Sequence, residues 1–226
     1  MGPFLNGAFA GFAKAGDAIS VVPAYPNLEF TEPAAMVADP TGPRFFVAER
    51  TGLFSWISTD ESTTQKNVML DIRNSVKGGG EVAVLSHESG VYNFVLHPNY
   101  AQNGYLYAFY TWTANGNDIV RDPDQSNGHF GLFLRLSRFT VNLQTRTIDP
   151  NSEVVMIHLR VVNGGHRGGG MTFADDGFLY VTIGEMWNPN AAQSISDNFL
   201  GGIIRIDVNS TGGAVSHAPI RKMGIN

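Results

Sequence analysis

An all-β fold built from propeller blades is predicted for this chain, on three observations. Helical periodicity is almost absent: short apolar runs rich in aromatic and β-branched residues alternate with clusters of Gly, Pro, Asn and Asp. A strand–turn–strand unit recurs three times, with its first aromatic after the turn at Phe45, Tyr105 and Phe178, 60 and 73 residues apart. Each unit is followed by further strand-like sequence, and four strands per repeat at this period is the pattern of a propeller blade.

The elements follow in order. Val37–Glu49 forms the first hairpin around Asp39-Pro-Thr-Gly-Pro43, with further strands at Gly52–Ile57 and Asn67–Ile72. Val95–Tyr110 repeats the plan, followed by Leu134–Val141 and Glu153–Leu159. Met171–Gly184 repeats it again and is followed by Gly201–Val208, with no fourth strand expected beyond Val208. The blades therefore span about residues 30–75, 90–160 and 168–208, between a flexible leader (1–25) and an irregular tail (209–226). Trp112–Phe130, between the second and third strands of the second blade, and Met186–Phe199 read as long polar loops, either substrate-side or mobile. Propellers close with about four to eight blades. Three leave open sheet faces, which calls for further sequence or for association, and two copies paired by two-fold symmetry would give six blades.

Composition narrows the function. Hydrophobic residues are 43%, aromatics 11% and charged residues 15%, enough for a real core and too few charges for a disordered tail. With a net charge of −5 and no basic run, nucleic acid is not an expected partner. The absence of cysteine removes disulfides, thiolate metal sites and Cys nucleophiles together. Met1–Gly16 lacks the basic start and unbroken apolar stretch of a signal peptide, and no run is long enough for a membrane-spanning helix.

Two stretches carry residues suited to chemistry. In Asn163–Met171 a histidine, His166, is set among glycines that let a ligand approach closely. It reads either as a proton-transfer site or as a glycine-rich turn that contains a histidine. Glu185 follows an apolar strand and Gly184, where strands of a propeller end near the channel. Within reach of His166 its carboxylate would orient the ring; alone it is a solvated strand-end carboxylate. His97 reads as a turn hydrogen-bonding residue, and His87, His129, His158 and His217 show no metal-ligand spacing. No phosphate-binding loop, Gly-x-Ser-x-Gly elbow or His-Glu-x-x-His helix is present, and Asn209-Ser-Thr211 is a formal glycosylation sequon.

Three ordered segments resemble the glucose/sorbosone dehydrogenase family: Phe94–Tyr107, Gly165–Glu185 and Leu200–Asp207, within a likeness running from Pro26 to Val208. The resemblance implies a six-bladed propeller that binds pyrroloquinoline quinone with calcium and oxidises sugars or related alcohols, in the periplasm or outside the cell. It implies His166 as the base, Glu185 as its partner and Glu88 as a substrate contact. The family has Asp where Glu185 stands and a small polar residue where Arg167 stands, and its calcium ligands and quinone-gripping cations lie in later blades, so no cofactor or metal ligand is assigned here. Arg221 and Lys222 match nothing in the family. The reading is a quinone-dependent sugar oxidoreductase, inactive as an isolated half. The alternatives are a non-catalytic propeller that binds a partner, or a gene fragment.

Overall fold

A computed structural model describes residues 22–74, 80–84, 88–114, 132–161, 165–190 and 199–209, and the backbone of 216–219. The first sheet is a four-stranded antiparallel meander of β1 (Pro33–Ala38), β2 (Arg44–Glu49), β3 (Leu53–Ser58) and β4 (Asn67–Asp71). Its first turn is closed by Asp39, whose carboxylate accepts from the Thr41 amide at 2.8 Å and from Arg44 Nε at 3.0 Å.

The second sheet begins with β5 (Glu81–Val82) and β6 (Val91–Leu96), both paired to the same strand, β7 (Tyr105–Thr113). β8 (Leu132–Thr140) and β9 (Val154–Arg160) complete it. Between β6 and β7 the expected turn holds a one-turn helix, α1 (Tyr100–Asn103). Here His97 does act as a turn residue: its Nδ1 accepts from the Asn99 amide at 2.9 Å, so Nε2 is left to donate to Asn209 Oδ1 at 3.1 Å.

β10 (Gly168–Phe173), β11 (Leu179–Ile183), β12 (Gly202–Asp207) and β13 (Ser216–Pro219) form the third sheet. The last strand corrects the sequence reading, which left 209–226 irregular: residues 216–219 pair antiparallel with β12 and supply the fourth strand. That short segment follows the low-information run Asn209–Gly213 and lacks the aromatic and β-branched content that marks the other strands, so no strand pattern betrays it. The expected loop from Trp112 also starts later, because β7 runs on to Thr113. Of its remainder, residues 115–130, and also residues 1–21 of the leader, 191–198 of the second loop, His87, His129, Arg221 and Lys222 lie outside the described residues, as do the side chain of His217 and the end of the sequon.

Alternation along β7 shows why three sheets stack. Leu106, Ala108, Tyr110 and Trp112 enter a core shared with Phe46, Phe54 and Leu70 of the first sheet. Tyr107 and Phe109, on the opposite face, enter a core shared with Leu179, Val181 and Ile204 of the third. A strand buried on both faces is what a blade between two neighbours requires. β6 lies against β1 and β2 on one side and β10 on the other, so the inner strands gather and bring the chain just before β6 beside the chain just before β10. On the outward side of the third sheet, Gly170, Thr172, Tyr180, Thr182 and Ile203 border a shallow depression of about 500 Å³. No helix among the described residues is long and apolar enough to cross a membrane.

Candidate active site

The site sits at the seam where the second and third sheets meet. Gly168 pairs with Ile183, and a bulge between Gly168 and Met171 turns the chain before β10 across the end of β11. The crossing is tight: a β-carbon on Gly184 would stand 1.7 Å from the His166 carbonyl oxygen. That carbonyl accepts the Met186 amide at 3.1 Å, tying the His166 loop to the segment after β11.

Three of the five non-glycine residues with left-handed backbone among the described residues stand here: His166 (φ 54°), Met186 (φ 53°) and Trp187 (φ 61°). Such conformations cost energy and persist where surrounding contacts enforce them. Met186 supplies one anchor, being fully buried in the core between the second and third sheets.

The two sequence-predicted partners meet. His166 Nδ1 is hydrogen-bonded to Glu185 Oε1. The extra methylene of Glu relative to the Asp of the family pattern does not prevent the contact. Neutral histidine bonded to a carboxylate through Nδ1 carries its proton there, so Nε2 presents a lone pair. Nε2 has no hydrogen-bond partner among the described residues, and the side chain is 44% exposed. The hydrogen bond from His166 holds the Glu185 carboxyl below the usual carboxylate range, keeping it an acceptor.

Glu88 joins the same group. Its Oε2 accepts the His166 backbone N–H, and its carbonyl accepts from both Arg167 Nη1 and the Tyr92 hydroxyl, the latter at 2.7 Å. Arg167 is only 2% exposed. Its side chain runs inward from the site to brace the Glu88 carbonyl. Tyr92, at the start of β6, is pushed up to about 12 by burial, partly opposed by Arg167, so its hydroxyl stays a donor.

Sequence reasoning did not single out Trp187. Its ring stacks on the His166 imidazole with centroids 4.0 Å apart and planes 22° from parallel. The one available signal was an aromatic two positions after the carboxylate, with Gly165 opposite. A β-carbon on Gly165 would stand 2.4 Å from Trp187 Nε1 and 3.1 Å from Glu88 Oε1, so only glycine leaves room for both. The bracing role of Arg167 was also not legible.

The site holds a paired histidine with a free ring nitrogen, two carboxylates and an aromatic cover. It can accept a proton at Nε2 and stabilise the resulting imidazolium through Glu185 and through cation–π contact with the indole. Among the described residues no group of three or more His, Asp or Glu side chains stands together as a metal-ligand set.

Comparison with known proteins supplies the context. The model of a family described as Glucose / Sorbosone dehydrogenase matches residues 30–224. The chain is 29% identical over 181 residues to the Hedgehog-interacting proteins of Mus musculus and Homo sapiens, covering 74% of this chain and 23% of theirs. Similar solved structures include the PQQ-bound aldose sugar dehydrogenase of Streptomyces coelicolor (TM-score 0.58, 19% identity, 80% of this chain and 46% of that one). A crystal structure of a glucose dehydrogenase is also similar (TM-score 0.59, 17% identity, 82% and 46%). So is the apo form of the soluble aldose sugar dehydrogenase of Escherichia coli (TM-score 0.57, 17% identity, 78% and 44%). The chain thus spans about a quarter of the curated relatives and less than half of the solved ones, and at these identities the structural likeness establishes the partial propeller fold.

Proposed function

This chain belongs to the glucose/sorbosone dehydrogenase family, and from that premise we propose that its site serves the oxidation of a sugar or related alcohol by a quinone-dependent mechanism, with His166 as the base. The observation that carries the reading is the His166–Glu185 pair with Nε2 left free. Oxidising an alcohol removes a proton from oxygen and a hydride from carbon. His166 Nε2 takes the proton, Glu185 holds Nδ1–H and steadies the imidazolium, and Glu88 contacts the substrate from beside the His166 amide. We infer periplasmic or extracellular placement from the same membership.

The hydride acceptor that membership implies is pyrroloquinoline quinone with calcium. The described residues do not fit as its holder. The quinone is a tricarboxylate, and the site faces it with Glu88 and Glu185. The nearby Arg167 is buried and donates to the Glu88 carbonyl, while Arg50 donates to Glu32 and to the Ser89 carbonyl. No metal-ligand group stands among the described residues. The residues here therefore perform the proton half of the reaction, and no step is assigned to them through the quinone. A second copy paired across the open sheet faces is the assembly we propose for closing the ring, which light scattering tests.

The functional test is sugar-dependent dye reduction with quinone and calcium supplied. Turnover that falls by about 100-fold or more in His166→Gln carries the reading, since a positioned base contributes about 10²–10⁴-fold. Turnover indifferent to that substitution, or none with quinone demonstrably bound, overturns it. The second reading is then a non-catalytic binding platform, favoured by the likeness to the Hedgehog-interacting proteins, which exceeds in identity the likeness to the solved dehydrogenases.

A further inference from the structure

Trp187 is expensive where it stands. A bulky aromatic in left-handed backbone is a rare conformation, here at φ 61°, and the residue is nonetheless 53% exposed. Exposure means that burial of the indole does not repay the strain. What the conformation achieves is placement: one indole face lies on His166, and the indole edge shares the space over Gly165 with the Glu88 carboxylate. An indole has two faces, and the imidazole covers one.

From this geometry we propose that the outward face of Trp187, with Glu88 at its edge, is a subsite for a sugar ring adjoining the one that reacts, so that the substrate carries at least two linked rings. Pyranose rings present a face of axial C–H groups that packs on an aromatic plane and an equatorial rim of hydroxyls that carboxylates accept from. Trp187 and Glu88 supply those two elements. Position excludes a single ring serving both roles. The imidazole centroid lies 4.0 Å behind that of the indole, and a ring on the outward face stands about 4 Å in front of it. A hydroxyl bonded to Nε2 lies in the imidazole plane, about 8 Å from that outer ring along the stacking direction, so the two positions belong to neighbouring units of one saccharide. The term substrate rests on the dehydrogenase reading; the subsite itself does not.

The test is titration of the ¹⁵N-labelled chain with glucose, cellobiose and maltose. The readout is the Trp187 indole N–H resonance, assigned by its loss in Trp187→Tyr. The expected result is a saturable shift with at least one disaccharide, bound about tenfold more tightly than glucose. By isothermal titration calorimetry, which needs no indole, Trp187→Ala abolishes that preference, and Trp187→Tyr retains most of it. Equal affinity for glucose and both disaccharides, or a disaccharide preference untouched by Trp187→Ala, overturns the proposal. A response without turnover in the native chain sinks the dehydrogenase and leaves the subsite standing.

Discussion

Replacing Gly184 by alanine isolates the crossing on which the site depends. Gly184 does not require left-handed backbone, so alanine suits its local conformation. The added β-carbon would, however, stand 1.7 Å from the His166 carbonyl oxygen and 2.4 Å from its carbon, where real β-carbons essentially never come within 3.0 Å. The carbonyl must recede by at least 1.3 Å, the difference between those two limits. It takes with it the Met186 hydrogen bond and the ring position of His166. A displacement of about 1 Å costs on the order of 100-fold in a positioned reaction. Overpacking of this kind costs about 1–3 kcal/mol in stability, so the sheets survive. Gly177→Ala is the matched control: no atom lies within 4 Å of its β-carbon, and its φ of +78° costs about 1 kcal/mol of strain with no movement of the site. The assay pairs a low-field proton spectrum, which reports the His166 Nδ1–H shared with Glu185, with urea unfolding. Gly184→Ala should lose the low-field signal while Gly177→Ala keeps it. An unchanged signal in Gly184→Ala would refute the claim that this glycine sets the geometry of the pair.

Other substitutions test the supports. Arg167→Met removes a charge-assisted hydrogen bond to the Glu88 carbonyl and should cost about 2 kcal/mol, or roughly 4–8 °C in melting temperature; a loss below about 1 °C would show that Arg167 braces nothing. Asp39→Asn breaks a buried acceptor shared by Arg44 and Arg146, which clamps the first sheet to the second, and should cost about 3 kcal/mol near neutral pH. Burial would raise the Asp39 carboxyl, but Thr41, Arg44 and Arg146 outweigh it and hold it below the usual 3.8. Its stabilisation is therefore present above that value and lost as pH falls through the lower folded one, so native and Asp39→Asn unfolding midpoints should converge in acid. At the other extreme, burial pushes Tyr92, Tyr100 and Tyr107 to about 12. The folded chain holds those phenol protons more tightly than the unfolded one. The stability they confer is complete below pH 10 and disappears toward pH 12, and phenolate absorbance should rise together with unfolding rather than before it.

The blades were legible because their strands carry their own signal. Short apolar runs rich in aromatic and β-branched residues at Phe45–Val47, Tyr105–Tyr110 and Leu179–Ile183 demand buried strands, and Asp39-Pro and Asp176-Gly demand turns between them. Of the site, His166 and Glu185 stood out as chemistry-bearing residues beside glycines, while Glu88 entered only through the family resemblance. What joins them did not. The Glu88 carboxylate reaches His166 from 78 residues away, across a seam that exists only once β6 packs on β10. The left-handed conformations of Met186 and Trp187 are imposed by that packing and have no signature in residue type; a tryptophan read in isolation argues against them. Arg167 read as a departure from the family's small polar residue, whereas its burial makes it a strut beneath Glu88.

The seam, rather than either sheet, is thus the unit that builds the candidate site. Each sheet alone would leave half the site unbuilt: the second provides Glu88 and Tyr92, and the third provides His166, Arg167, Glu185 and Trp187. The bonds that cross between them are few and polar, so they fix geometry more than they add stability. Stability at the seam comes from the shared core of Tyr107, Phe109, Leu179, Val181 and Met186 beneath it. A strained backbone around His166 and Trp187 is tolerable only while that core holds. Mutations that loosen the core should therefore damage the site before they unfold the chain. Phe109→Leu, far from the dyad in sequence and in a different sheet, should weaken the His166–Glu185 low-field signal at temperatures where the sheets remain intact.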